Sequence, residues 1–135
     1  MANAAEGKTI AQLLIESAAQ DVAACKLLSA EAGIGDAVVG FHAQQAVEKS
    51  IKAILSQNGI EFRRTHDLIT LLDLLQDMGM PAPPNADWLD ELTPYAVEAR
   101  YGTLETTGLD RTRVLMAIEA VLAWAHSQIA SSSRP

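Results

Sequence analysis

The chain has 135 residues, of which 49% are apolar and 20% charged. That composition excludes a disordered chain, and the length points to one domain that buries a core without needing a disulfide or metal. Ten basic and seventeen acidic residues give a net charge of −7, which excludes an indiscriminate polyanion binder, whose affinity comes from neutralising phosphates.

The charge is unevenly placed. Residues 1–40 sum to −3, residues 41–66 to +2 and residues 99–135 to +1, while residues 67–98 hold seven acids and no Lys or Arg. A local basic patch can therefore exist on an acidic protein. The opening Met1–Lys8 is short and polar, without the apolar stretch of a signal peptide. Uninterrupted apolar runs fall far short of a membrane span. Cys25 stands alone, so no intramolecular disulfide or thiolate cluster is expected. A soluble, cytoplasmic protein without membrane contact is the expectation.

Helical spacing recurs along the chain and strand alternation does not. A first helix is predicted from about Thr9 to Glu31, with Ile10, Leu14, Ala18, Val22, Cys25 and Leu28 on one face. Gly33 and Gly35 mark its end by permissive backbone. Asp36 is placed to cap a second helix, Ala37 to about Asn58, closed by Asn58-Gly59. After a short connection, Thr65 is placed to cap a third helix, His66 to Met78, with Leu68, Leu71, Leu72 and Leu75 as its buried stripe.

Pro81, Pro83 and Pro84 form a stiff linker. A fourth helical stretch is expected over roughly Ala86 to Ala99, with Pro94 as either the start of a new segment or a kink. Gly102 to Gly108 reads as a loop. Asp110 caps the last helix, which runs to about Ser131 with Val114, Ile118, Val121, Leu122, Ala125 and Ile129 at helical spacing. Residues 131–135 should fray. The expectation is a single domain over 1–135, core about 9–130, built as an all-α up-and-down bundle of four to five helices. Trp124 lies on a different face from Val114 and Ile118. A homodimer interface and packing within the monomer are both open uses for that extra apolar surface.

The second helix carries the most information. At 100° per residue, Phe41, Val47, Ile51, Ile54 and Leu55 share the core sector. His42, Gln45, Lys49, Lys52 and Ser56 form a stripe beside it. Gln44 and Glu48 fall inside or at the edge of the apolar sector. A buried carboxylate without a partner is costly, so Glu48 is expected to pair with His66, Arg100 or Tyr101 and help fix the bundle.

Phe41-His42-Ala43-Gln44-Gln45-Ala46-Val47-Glu48-Lys49-Ser50-Ile51-Lys52-Ala53 resembles the signature helix of HEPN domains. Arg64-Thr65-His66-Asp67-Leu68 with Leu71-Leu72 resembles the next element of that family, and Tyr95-Ala96-Val97-Glu98-Ala99-Arg100-Tyr101 the third. The resemblance covers about residues 9–130, and the ordered succession of three motifs is what makes it specific. It implies a helical bundle, often dimeric. It also implies a role around nucleotides or RNA, commonly beside a separately encoded nucleotidyltransferase in a toxin–antitoxin arrangement.

Many members of that family are metal-independent ribonucleases using an Arg and, four to six residues on, a His. The basic group stabilises phosphate charge while the imidazole moves the proton of a ribose 2′-hydroxyl. This chain departs from the pattern. Arg63 and Arg64 precede His66 by three and two positions, and Arg100, Arg111 and Arg113 have no His at the required spacing.

Gln45, Lys49 and Lys52 share a stripe that could meet phosphate oxygens or serve as a solvated helix face. Arg63 and Arg64 precede a helix N-terminus that offers free N–H groups to an anion. His66 could act as acid, base or phosphate contact, or bond structurally to Glu48. Arg100 and Tyr101 could border a pocket or a dimer seam. His42, His66 and His126 are too scattered for a metal site, and no cofactor motif is present. Cys25 reads as a small core residue. The acidic run from Asp67 to Glu98 is a soluble face or a receiver for a basic partner protein. Three functions follow as expectations. The first is a nucleotide- or RNA-binding module using Gln45, Lys49, Lys52, Arg64, His66, Arg100 and Tyr101, with Gln44 and Glu48 structural. The second is a divergent ribonuclease using His66 with Arg64 or Arg100. The third is a purely structural interaction dimer.

Overall fold

A computed structural model describes residues 7–96 and 108–132. Their regular structure is entirely helical: α1 (Ile10–Ser29), α2 (Asp36–Gln57), α3 (Leu68–Asp77), a 3-10 helix (Leu89–Ala96) and α4 (Arg111–Ser132). This is the helical bundle expected from the spacing. Helix α1 packs most extensively on α2, α4 lies against both, and the 3-10 helix and α3 lean on α2. The central α2 therefore carries the most buried residues, including Val39, Val47, Ile51, Ile54 and Leu55.

Helix starts are set by local side chains. Thr9 caps α1 through a capping box with Gln12, Gln12 N–H to Thr9 Oγ1 at 3.1 Å and Thr9 N–H to Gln12 Oε1 at 2.9 Å. Asp110 accepts from Arg113 N–H at 3.0 Å before α4. Two expected caps are corrected. Asp36 lies inside α2, behind Gly35, which makes no side-chain cap bond; its carboxylate instead reaches Leu109 N–H at 2.9 Å and Arg111 Nε at 2.8 Å. Asp67, not Thr65, caps α3, accepting from Ile69 N–H at 3.1 Å. Thr65 sits two residues earlier and accepts from Asp67 N–H at 3.0 Å. His66 thus precedes the helix instead of starting it.

The core face of α1 is the expected one, with Ala18, Val22 and Cys25 buried and Leu14 and Leu28 partly buried against the core. Ala11 and Ile15 are buried as well, while Ile10 is 67% exposed. Leu13 and Leu27, outside the expected stripe, are half or more exposed, so Ile10 is the member of that stripe that departs from it. Phe41, expected in the core of α2, is only half-buried, and Val39 and Ala43 take the buried positions. The expected fourth α-helix is the short 3-10 helix, with Pro94 inside it and without an N–H to continue an α ladder. Gly33 and Gly35 keep negative φ; the left-handed turns fall at Gly59, Gly79, Gly108 and Asn85. The expected frayed tail is helical through Ser132, and Ser133–Pro135 lie outside the described residues.

Two long-range contacts lock the bundle. Arg111, the first residue of α4, holds Asp36 and also donates to the carbonyls of Leu28, Ser29, Glu31 and Ile34. One guanidinium thus ties α4 to the end of α1 and the start of α2. At Gly40 the Tyr95 ring lies so close to the backbone that an added Cβ would meet ring carbons at 2.3–2.6 Å. By length and composition, α4 is the one helix among the described residues apolar enough to cross a membrane. Here, however, α4 lays Val114, Ile118, Val121 and Ala125 into the core.

Candidate functional site: a carboxylate hub on helix α2

Glu48 sits on the inward edge of α2, 4% exposed. Its Oε1 accepts from Gln44 Nε2 at 2.9 Å and meets His66 Nδ1 at 2.8 Å; its Oε2 meets Lys52 Nζ at 3.0 Å. Gln44, fully buried, also donates to the His66 carbonyl at 3.1 Å and accepts from Gln45 Nε2 at 2.7 Å. Every member of this buried network is therefore satisfied, the condition under which such networks rigidify a core instead of weakening it. Burial raises the cost of charge on Glu48, but the bonds from Gln44, His66 and Lys52 outweigh it and hold the carboxyl below the usual glutamate range. With Glu48 ionised and able only to accept, His66 Nδ1 must carry the donated proton.

A second carboxylate does similar work between α1 and α2. Asp21, 9% exposed, meets His42 Nδ1 at 3.0 Å and Lys49 Nζ at 2.7 Å. The stripe His42, Gln45, Lys49 and Lys52 is thus largely committed to protein partners, and Lys52 additionally lies over the Phe62 ring at 5.7 Å from its centroid. The cations left facing solvent in this region are Arg63 and Arg64, both exposed, beside the 48% exposed side chain of His66. Among the described residues, neither arginine has a hydrogen bond or ion pair.

The expected anion site at the start of α3 is corrected by the same region. Asp67 closes Ile69 N–H, and Thr93 Oγ1 accepts from Leu68 N–H at 3.2 Å. The helix end that was to receive an anion is already filled by a carboxylate and a hydroxyl. Of the partners expected for Glu48, His66 is the one present; Arg100 and Tyr101 lie outside the described residues.

Sequence reasoning missed Asp21 and the clasp at Arg111. Both partners of Asp21 were visible in the α2 stripe, and an acid facing them on α1 was the available signal. Arg111 and Asp36 are 75 positions apart, and nothing in one dimension joins them. Among the described residues, no group of three or more His, Cys, Asp or Glu is placed to hold a metal ion. Cys25 is fully buried, and burial pushes its thiol above the usual range.

Chemically, the hub presents an imidazole whose inner nitrogen is fixed by a buried carboxylate. Its outer nitrogen is left for an external partner, with two guanidinium groups within three residues. Such a carboxylate–histidine pair fixes both tautomer and ring orientation.

A family model described as HEPN domain matches residues 11–128. A curated protein of Methanocaldococcus jannaschii, "Putative toxin MJ1304", is 44% identical over 54 residues, which are 40% of this chain and 34% of that protein. The similarity therefore spans about a third of the relative's length. No solved structure gives a significant match.

Proposed function

The chain belongs to the HEPN family, and from that membership we propose that it is the nucleotide- or RNA-contacting member of a toxin–antitoxin type pair. In this reading it acts as a homodimer in the cytoplasm beside a separately encoded nucleotidyltransferase. The likeness to a protein named as a toxin supports the pairing. The observation that carries the contact with nucleotides is the exposed trio Arg63, Arg64 and His66, anchored from below by Glu48. Arg64 and His66 remain the first candidates for a phosphate. Lys49 and Lys52 act through Asp21 and Glu48, setting the shape of the edge, with Gln45 bracing Gln44. Arg100 and Tyr101, in the third motif, complete the proposed contact set.

The test is titration of the chain with ATP and with short RNA at two salt concentrations. Arg63→Ala/Arg64→Ala should weaken binding about tenfold or more at low salt and leave the melting temperature unchanged, because both side chains are exposed and make no fold contact. Unchanged affinity in that variant refutes the reading.

A divergent metal-independent ribonuclease is the second reading, favoured by one observation. Glu48 holds His66 Nδ1 at 2.8 Å, which leaves Nε2 as the nitrogen available to exchange a proton with a ribose hydroxyl. Incubation of the chain and of His66→Ala with mixed RNA decides it; equal cleavage by both ends this reading.

A further inference from the structure

The Asp67–Glu98 run, in which no basic residue occurs, acquires a shape in three dimensions. Helix α3 and the segment that follows it enclose a groove of about 570 Å³. Its apolar floor is made by Ile69, Leu72 and Met80, and its lining includes the carboxylates of Asp73, Asp87 and Asp90. Ile69 is 49% exposed there, a large aliphatic side chain that one turn of helix separates from Asp73. Among the described residues, none of these three carboxylates has a hydrogen bond or ion pair. Elsewhere in the fold, Asp21, Asp36, Glu48 and Asp67 are all engaged by side chains or backbone N–H groups.

The groove wall is preformed. Pro83 is buried, and the wall turns at Asn85, whose φ is 63°. That turn is held by Trp88 N–H and Leu89 N–H on the Asn85 carbonyl at 2.9 and 3.1 Å. Met80 N–H closes on the Leu75 carbonyl at 2.9 Å. Three prolines further restrict the connecting backbone. An apolar slot of this volume is of the size that receives a few large side chains, and binding to a preformed surface spares the cost of ordering it.

We propose that this groove is a docking site for a basic segment of a partner protein, with an apolar residue seated on Ile69, Leu72 and Met80 and Lys or Arg side chains meeting Asp73, Asp87 and Asp90. Charge complementarity selects that occupant. A nucleic acid would bring phosphates against three carboxylates. The groove is therefore a protein-binding face, separate in chemistry from the Arg63–Arg64–His66 edge, and it stands or falls independently of the nucleotide reading.

The experiment uses the full chain and a fluorescent synthetic peptide with Lys and Leu at helical spacing, followed by anisotropy. Three comparisons accompany it: the same composition scrambled, the Glu-for-Lys counterpart, and a short RNA of similar length. The patterned Lys/Leu peptide should bind, and bind more weakly as salt rises. Asp73→Asn/Asp87→Asn/Asp90→Asn should weaken it about tenfold or more, and Ile69→Ser should weaken it severalfold. A variant with the same charge loss elsewhere, Glu31→Gln/Glu61→Gln/Glu119→Gln, should retain the parent affinity. All four proteins should keep one melting temperature within a few degrees, since the substituted side chains are surface groups. Equal weakening by both triple variants would reduce the effect to net charge and overturn the proposal. So would equal binding of the scrambled peptide, preference for RNA, or loss of the site through self-association of the chain.

Discussion

Replacing Glu48 by Gln tests the hub directly. The carboxylate is 4% exposed and serves Gln44, His66 and Lys52 at 2.8–3.0 Å. The amide of Gln keeps one acceptor oxygen but presents N–H groups where the other oxygen accepted from Lys52. It also leaves the Lys52 ammonium, itself 13% exposed, without its anion. Breaking a buried pair by removing one partner costs about 3–5 kcal/mol. The retained acceptor and the partial solvation of Lys52 and His66 bring the expected loss for Glu48→Gln to about 2–3 kcal/mol. Glu48→Ala should reach the upper figure. The pH dependence carries the sharper signature. Glu48 titrates lower in the folded chain than its ordinary value of 4.5, so the unfolded chain binds its proton more readily. Its stabilisation is therefore fully present above that value and is lost as pH falls through the lower folded one. Urea unfolding followed by circular dichroism from pH 7 to pH 3 should show a steep acid limb in the parent, shallower in Glu48→Gln. The difference between the two proteins isolates Glu48 from Asp36, which also titrates low because Leu109 N–H and Arg111 bond to it. Identical acid limbs in both proteins would refute the hub as an energetic element.

Gly40→Ala forces a methyl group to within 2.3–2.6 Å of the Tyr95 ring, so the 3-10 helix must shift; a loss of about 1–3 kcal/mol in denaturant unfolding is expected, and Tyr95→Ala in the same chain should recover part of it. Arg111→Lys keeps the charge but cannot reproduce the fan of bonds to Asp36 and four carbonyls; a loss of about 1.5–3 kcal/mol is expected, read as a lower urea midpoint. Cys25, buried and with its thiol pushed up by burial, should react with a thiol reagent only as fast as the chain opens, and at the free-thiol rate once urea is added; rapid labelling of the native protein would contradict its place in the core.

The number of helices, their approximate limits and the all-helical class were legible in the sequence because each depends on neighbours within a turn or two. Apolar residues at three- and four-residue steps, Thr9 and Asp110 before helices, and Asn58-Gly59 after one are local signals. The inward position of Glu48 was legible for the same reason, as a polar residue out of phase with the helical period. Local rules misplaced Asp36 and Thr65, where capping residues lie next to one another and any of them satisfies the short-range pattern. They found the buried face of α1 but placed Ile10 on it, which is 67% exposed. Packing decided what spacing could not. Only the fold joined Asp21 to Lys49, Asp36 to Arg111 and Gly40 to Tyr95, pairs separated by many turns of chain whose contact depends on how the helices cross. Periodicity fixes which residues a helix turns to one side; it carries no information about which neighbour waits there, and that is where the charges of this protein were spent or left free.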